Sequence, residues 1–426
     1  MPDRVSTPKA AWVWPIVLVT ALHLLSTSGT WWITDHGEIL AVADRFLSSG
    51  RLDLQDLGAG YAEWTRIVTA RGTAETRFLP LSILILTPLL VLDHLAGWHD
   101  PASFRFVYLQ GHLCIGLGLV AIGRSLARNV SSQLTALGIV VLGLNWPVWM
   151  IARRLGPEPV LFLLLSVLAT SGARAQIAVL LILPWVHATG PLLGLGAVLW
   201  LGTRARSGGS WRNAALAWAG GVLSLALFWN LPVHGSLFLG GYGRYSSDPF
   251  FTLRNPLIGG GSLILVMCCW TLPLWYLLVR QGRRSLLPTL ALWLPLVGFL
   301  GLFSTPEPER RLAPLLAPWL ITLLAPRFSL PRSQALVLAL LSLLSGIVGL
   351  SRDFVDLVAT PFGTFTGPML LLVRLAFVES HPIAAVLITL VLLVGVAIAG
   401  SHTLRWLGEG TLAVGTDRPA GPESVA

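Results

Sequence analysis

Charge is what this sequence has least of. Only 12% of its 426 residues are Asp, Glu, Lys or Arg, about half the share a soluble domain carries, so the chain cannot wrap itself in a hydrated surface. Lysine occurs once, at Lys9, and any anion site must therefore be built from arginine or histidine. The three cysteines, Cys114, Cys268 and Cys269, sit inside apolar blocks without metal-ligand spacing, which excludes a disulfide scaffold. No basic tail or stripe gathers the formal charge of +9, which excludes a nucleic-acid surface.

What is present in excess is apolar. Hydrophobic residues make up 54% of the chain and the mean hydropathy is +0.73. Uncharged blocks of 17 residues or more recur, such as Gln334–Leu350 and Ile383–Gly400, each long enough to cross a hydrocarbon core of ~30 Å. The composition predicts an all-α polytopic membrane protein. Twelve spans are expected, near 11–33, 104–123, 134–152, 156–172, 175–188, 190–202, 213–230, 261–279, 286–304, 312–325, 334–350 and 382–400. Arg4 and Lys9 precede the first, which reads as an uncleaved span or a signal peptide, the aromatic Trp31–Trp32 favouring the span.

The block at 78–96 carries Pro80, Pro88, Asp93 and His94, and it either spans or lies in the interface. Counting Lys and Arg decides between these. If 78–96 stays on the surface and the N-terminus is cytoplasmic, the inside holds fifteen basic residues against four acidic ones, and the outside fourteen against sixteen. If it spans, the inside keeps only eleven basic residues and the outside has eighteen. The first arrangement is expected, with both termini in the cytoplasm of a plasma-membrane protein and external loops near 34–103, 153–156, 231–260, 305–311 and 351–381. Residues 1–405 then form one membrane domain, and 406–426 a short disordered cytoplasmic tail.

The acids crowd onto the outer face, so carboxylate chemistry is expected there. In the first external loop, TDHGEILAVADRFLSSGRLDLQD (34–56), Ile39, Leu40, Val42, Ala43, Phe46 and Leu47 share one helical face. Glu38, Asp44, Arg45 and Ser48 take the other. That pattern predicts an amphipathic helix on the membrane surface, stopped by Gly50.

An Asp after the first span, Ala eight residues on, then Leu–x–x–Gly and Leu–Asp–Leu, resembles the GT-C superfamily of membrane glycosyltransferases. Asp35, Ala43, Gly50, Leu52, Asp53 and Leu54 carry the match. The nearer resemblance is to the bacterial branch related to dolichyl-phosphate-mannose-dependent mannosyltransferases. Four later stretches agree in order: Pro80 to Pro88; WMIARRLGPEPVLFLLL (149–165) with Glu158 at the head of a span; NLPVHGSLFLGGYG (230–243); and ERRLAPLLAPWL (309–320). Two departures stand beside them. His36 occupies the place of a second acid, and HATGP (187–191) replaces a Thr–Lys–Pro turn, without its Lys.

The resemblance implies a GT-C-like bundle with amphipathic juxtamembrane helices in its first external loop. It implies an inverting transfer of a sugar from a polyprenyl-phosphate donor to an extracytoplasmic lipid, glycan or protein acceptor. Asp35 is then the base, with Glu38 and Glu158 the other catalytic carboxylates. Arg310 and Arg311 take the donor phosphate, backed by Arg153 and Arg154, and His234 and Tyr242 belong to a substrate loop. No cofactor is expected; Asp35, His36 and Glu38 could offer ligands to a divalent cation, which this branch generally does without. Membrane lipids and the lipid-linked donor are the expected partners.

Each residue also has a plainer reading. Asp35 and Glu38 are spaced as a capping box, and Glu158 suits the first turn of a helix. Arg310 and Arg311 could pair with Glu307 and Glu309, Arg153 and Arg154 could anchor to lipid head groups, and His187 reads as a buried packing histidine. Rival functions are a catalytically degenerate homologue, a polysaccharide polymerase or ligase, and a transporter. The last would need an internal repeat and ionisable groups at mid-membrane depth, and neither is visible.

Overall fold

Prolines and short polar residues divide the apolar blocks into helices, many shorter than the blocks that contain them. The computed structural model describes residues 12–26, 35–52, 67–68, 74–75, 79–99, 106–204, 208–235, 237, 256–302, 308–324, 330–358 and 382–408. In chain order the helices are α1 (Val13–Ser26), α2 (Asp35–Ser49), α3 (Pro80–Leu84), α4 (Thr87–Leu95), α5 (Gln110–Asn129), α6 (Ser132–Leu144), α7 (Trp146–Ala152), α8 (Pro157–Thr170) and α9 (Ala173–Ile182). They continue as α10 (Gly190–Arg204), α11 (Gly208–Leu225), α12 (Pro256–Trp270), α13 (Leu272–Gln281), α14 (Arg283–Gly301), α15 (Pro308–Leu312), α16 (Leu316–Leu323), α17 (Arg332–Val358) and α18 (Pro382–Gly408). The expectation of helix throughout needs one small correction: Ile67–Val68 and Ala74–Glu75 pair antiparallel, Ile67 opposite Glu75, in the first loop.

This is a helical membrane protein. Five helices are long and apolar enough to cross a bilayer: Phe106–Asn129, Trp211–His234, Arg283–Gly301, Arg332–Leu350 and Leu390–Gly408. Counting each of two bent pairs as one span gives seven among the described residues. The other five expected spans hold helices of 8 to 15 residues, namely α1, α8, α9, α10 and α16. Twelve crossings stands as an expectation.

The bends have identifiable causes. Between α6 and α7 the axis turns by 66° at Asn145, whose Oδ1 accepts from the N–H of Val148 while its Nδ2 donates to the carbonyl of Val141. Pro147 follows in the first turn, where its missing N–H costs nothing. Between α12 and α13 the axis turns by 99° at Thr271, with Pro273 just beyond. Ser345 of α17 joins the two breaks, its Oγ accepting from the N–H of Trp146 at 3.2 Å and donating to the carbonyl of Trp270 at 2.7 Å. Gly346 and Gly349 lie flat against the rings of Trp149 and Trp146, and any Cβ there would collide with them.

The core is built from α1, α5, α6, α8, α10, α14, α16 and α17, with Trp200, Trp319 and Phe162 among its largest buried side chains. A second, smaller core sits at one end of the bundle. Ile39, Leu40, Val42 and Ala43 of α2 pack on Ile83, Leu86 and Leu90 of α3 and α4 and on Val107 and Leu155. The spacing in 34–56 predicts an amphipathic helix on the membrane surface; the helix is amphipathic, but protein and not lipid covers this part of its apolar face. The helix ends as expected, at Gly50, whose N–H closes on the carbonyl of Phe46. His94 of α4 meets Asp44 of α2 at 2.8 Å, so α3 and α4 both pack on α2. Asp93 is buried, and its carboxylate accepts from the N–H groups of Phe106 and Val107, tying α4 to the start of α5.

Candidate functional site

Tertiary contacts sort the helix ends into two groups. At one end Arg124 lies over Trp12, Gln133 donates to the carbonyl of Leu407, Gln281 to that of Leu323, and Arg280 and Tyr276 both donate to Gln334. At the other end the 152–158 turn, the 187–189 turn and α15 come together beside α2. Contacts bring these segments together at one end of the bundle.

The 152–158 turn is built by α5. Gln110 clamps the backbone of Gly156 twice, Nε2 donating to its carbonyl at 3.0 Å and Oε1 accepting from its N–H at 3.1 Å. Gly156 has φ +150°, a conformation that L side chains rarely adopt. At Gly111 a Cβ would collide with the carbonyls of Ala152 and Arg154, so glycine there lets α5 press against the turn. Neither Gln110 nor Gly111 stands out in the sequence. Both set where Glu158 begins α8.

Glu158 is buried, and its Oε1 lies 3.2 Å from Nε of Arg310. Arg311 reaches a different partner, its Nη1 standing 3.2 Å from Nε2 of His187. Thr189 holds the other side of that ring, its Oγ1 2.8 Å from Nδ1. Glu158 thus faces Arg310, His187 and Arg311 together. Arg310 pairs across the fold and not only within its own turn. His187, read from sequence as a packing histidine, is part of the cluster; the signal available was its place in HATGP, where the resembled family keeps a Lys.

Arg154 is buried, unlike a lipid anchor. Arg153 caps α7 within electrostatic reach of the buried His23 and His112, and α15 packs on α7. Leu155, the next residue along, belongs to the small core under α2, so one turn links the arginines to the amphipathic helix. Asp35 is the first residue of α2; the side chains of Asp35, His36 and Glu38 lie outside the described residues, as does Tyr242. His234 is buried where the π-helical turn Ala226–His234 ends. Among the described residues no three His, Cys, Asp or Glu side chains could hold a metal ion.

Two arginines held by separate partners, a buried carboxylate and an imidazole, make a cationic cluster whose guanidinium groups suit phosphate oxygens. No family model matches the chain, and no curated protein matches it. In its path the chain is similar to the crystal structure of ArnT from Cupriavidus metallidurans bound to undecaprenyl phosphate. The identity is 14% over 93% of this chain and 76% of that one, with a TM-score of 0.49.

Proposed function

We propose that this protein is a membrane glycosyltransferase of the GT-C kind, moving a sugar from a polyprenyl-phosphate donor to an acceptor hydroxyl outside the cytoplasm. The observation that carries the reading is the meeting of Arg310 and Arg311 with Glu158 and His187 at the end of the bundle where α2 packs. A lipid-linked sugar presents its phosphate at the membrane surface, and this cluster offers guanidinium forks beside an amphipathic helix.

In this mechanism the donor tail stays in lipid while Arg310 and Arg311 take the phosphate oxygens. The bond between the anomeric carbon and phosphate oxygen breaks, and the electron pair leaves on the phosphate, which needs no proton. The arginines stabilise that charge. Asp35, at the head of α2, takes the proton of the attacking hydroxyl, and attack from the face opposite the phosphate inverts the anomeric centre. Glu158 acts by holding Arg310, and Arg153 and Arg154 add positive potential behind the site. His234 and Tyr242 belong to the acceptor side.

The test is transfer from radiolabelled polyprenyl-phosphate sugars by the purified protein in proteoliposomes. Arg311→Ala is expected to lower turnover at least tenfold, since one charge-assisted phosphate contact is worth about 1.5–3 kcal/mol. Wild-type turnover in that variant would remove the phosphate role of α15.

A further inference from the structure

Among the contacts of the His187 ring are three that its two nitrogens cannot satisfy in one neutral tautomer. Nη1 of Arg311 is 3.2 Å from Nε2, and a guanidinium nitrogen only donates, so Nε2 presents its lone pair and the ring proton sits on Nδ1. From there it donates to Oγ1 of Thr189 at 2.8 Å. The backbone N–H of Thr189, however, also points at Nδ1 from 3.2 Å, and that contact is bonding only when Nδ1 is bare. Thr189 therefore suits either tautomer. Its hydroxyl accepts from Nδ1–H or donates to Nδ1, and its N–H is already in place for the second arrangement. Two of these contacts therefore ask for opposite tautomers, Arg311 for a bare Nε2 and the N–H of Thr189 for a bare Nδ1, while the Thr189 hydroxyl serves both.

We propose that His187 is a phosphate ligand that switches tautomer, a role that rests on the donor-phosphate reading above. While Arg311 rests on the ring, the proton stays on Nδ1. When a phosphate oxygen draws Arg311 away, Nδ1 gives up its proton, Nε2 gains one through solvent, and Nε2–H donates to the oxygen. The ring is neutral before and after, so the site gains a hydrogen bond without gaining charge. Glu158, which faces Arg310, Arg311 and His187, keeps its ion pair with Arg310 throughout.

The experiment is ¹⁵N NMR of histidine-labelled protein in lipid nanodiscs, with His187 assigned by difference from His187→Gln. Empty protein is expected to show a protonated Nδ1 and a bare Nε2, and saturation with polyprenyl phosphate should reverse them. Inorganic phosphate forms a parallel arm: a reversal there too supports the same ring chemistry with a soluble source, and a reversal with the lipid alone assigns it to the lipid. Binding with no reversal, or with both nitrogens protonated, overturns the switch and leaves the phosphate reading intact. Failure of both phosphates to bind overturns the switch and the phosphate reading together. Thr189→Ser, which keeps the hydroxyl, should bind polyprenyl phosphate like wild type, and Thr189→Val about tenfold more weakly; equal affinity in the valine variant would also count against the switch.

Discussion

Glu158 is the residue on which the arginine cluster is hung. Its carboxylate is buried against Arg310, and removing one member of such a pair strands the other charge. Glu158→Gln should therefore lower stability by about 3 kcal/mol and reduce turnover together. The double variant Glu158→Gln/Arg310→Gln should lose less stability than the two singles added, read by thermal unfolding in detergent. Strict additivity would mean that the pair is not coupled. The sequence picks out Glu158, Arg310, Arg311, Arg153 and Arg154 one by one, because each sits in a motif or a loop. It cannot say which meets which, since the pairings bridge distant parts of the chain. His187 shows the limit most clearly. A lone histidine in an apolar stretch has the same local pattern whether it packs or binds, and only its contact with Arg311, 124 positions away, separates the two.

Among the elements, the clearest sequence signal is that of α2, where period and stop residue together foretell an amphipathic helix ending at Gly50. The breaks in the bundle are less visible. Pro147 and Pro273 can be read, but a proline in the first turn of a helix looks much like one inside a span until the capping group ahead of it is known. Here that group is Asn145 in one case, and Ser345 ties the two breaks together. Ser345→Ala leaves the N–H of Trp146 and the carbonyl of Trp270 without this partner and should cost about 1–3 kcal/mol, seen as a lower unfolding temperature. Gln110 has the more local role of clamping Gly156. Gln110→Leu should insert and fold yet weaken polyprenyl phosphate binding at least fivefold, as the turn that carries Arg153, Arg154 and Glu158 loses its anchor; unchanged affinity would show that the clamp does not position the site. Nothing in the residues around Gln110 distinguishes it from any polar residue at a helix start.

At the scale of the molecule, the described acids gather at the end that also holds Arg153, Arg154, Arg310 and Arg311. The end defined by Trp12, Leu323 and Leu407 carries Arg124, Arg204, Arg280, Arg332 and Arg405, whereas Asp44, Asp93, Glu158 and Glu309 gather at the other. This sorting of acids is legible in the sequence because charge bias is a property of loops, which need no fold to be counted. The number of crossings is not, because helices of 8 to 15 residues such as α16 and α10 have blocks that read as full spans. With Cys114, Cys268 and Cys269 replaced, single cysteines at Asp100, Asn129 and Ser207 should label from outside at the first position only. Labelling at Asn129 would invert the orientation and put the arginine cluster in the cytoplasm. The central claim, the proposal that the head of α2 performs sugar transfer with the arginine cluster, is tested most directly by turnover of a polyprenyl-phosphate sugar in Asp35→Asn. The account predicts a loss of at least a hundredfold, on the order of general-base catalysis, with polyprenyl phosphate still bound; wild-type turnover in that variant would contradict it.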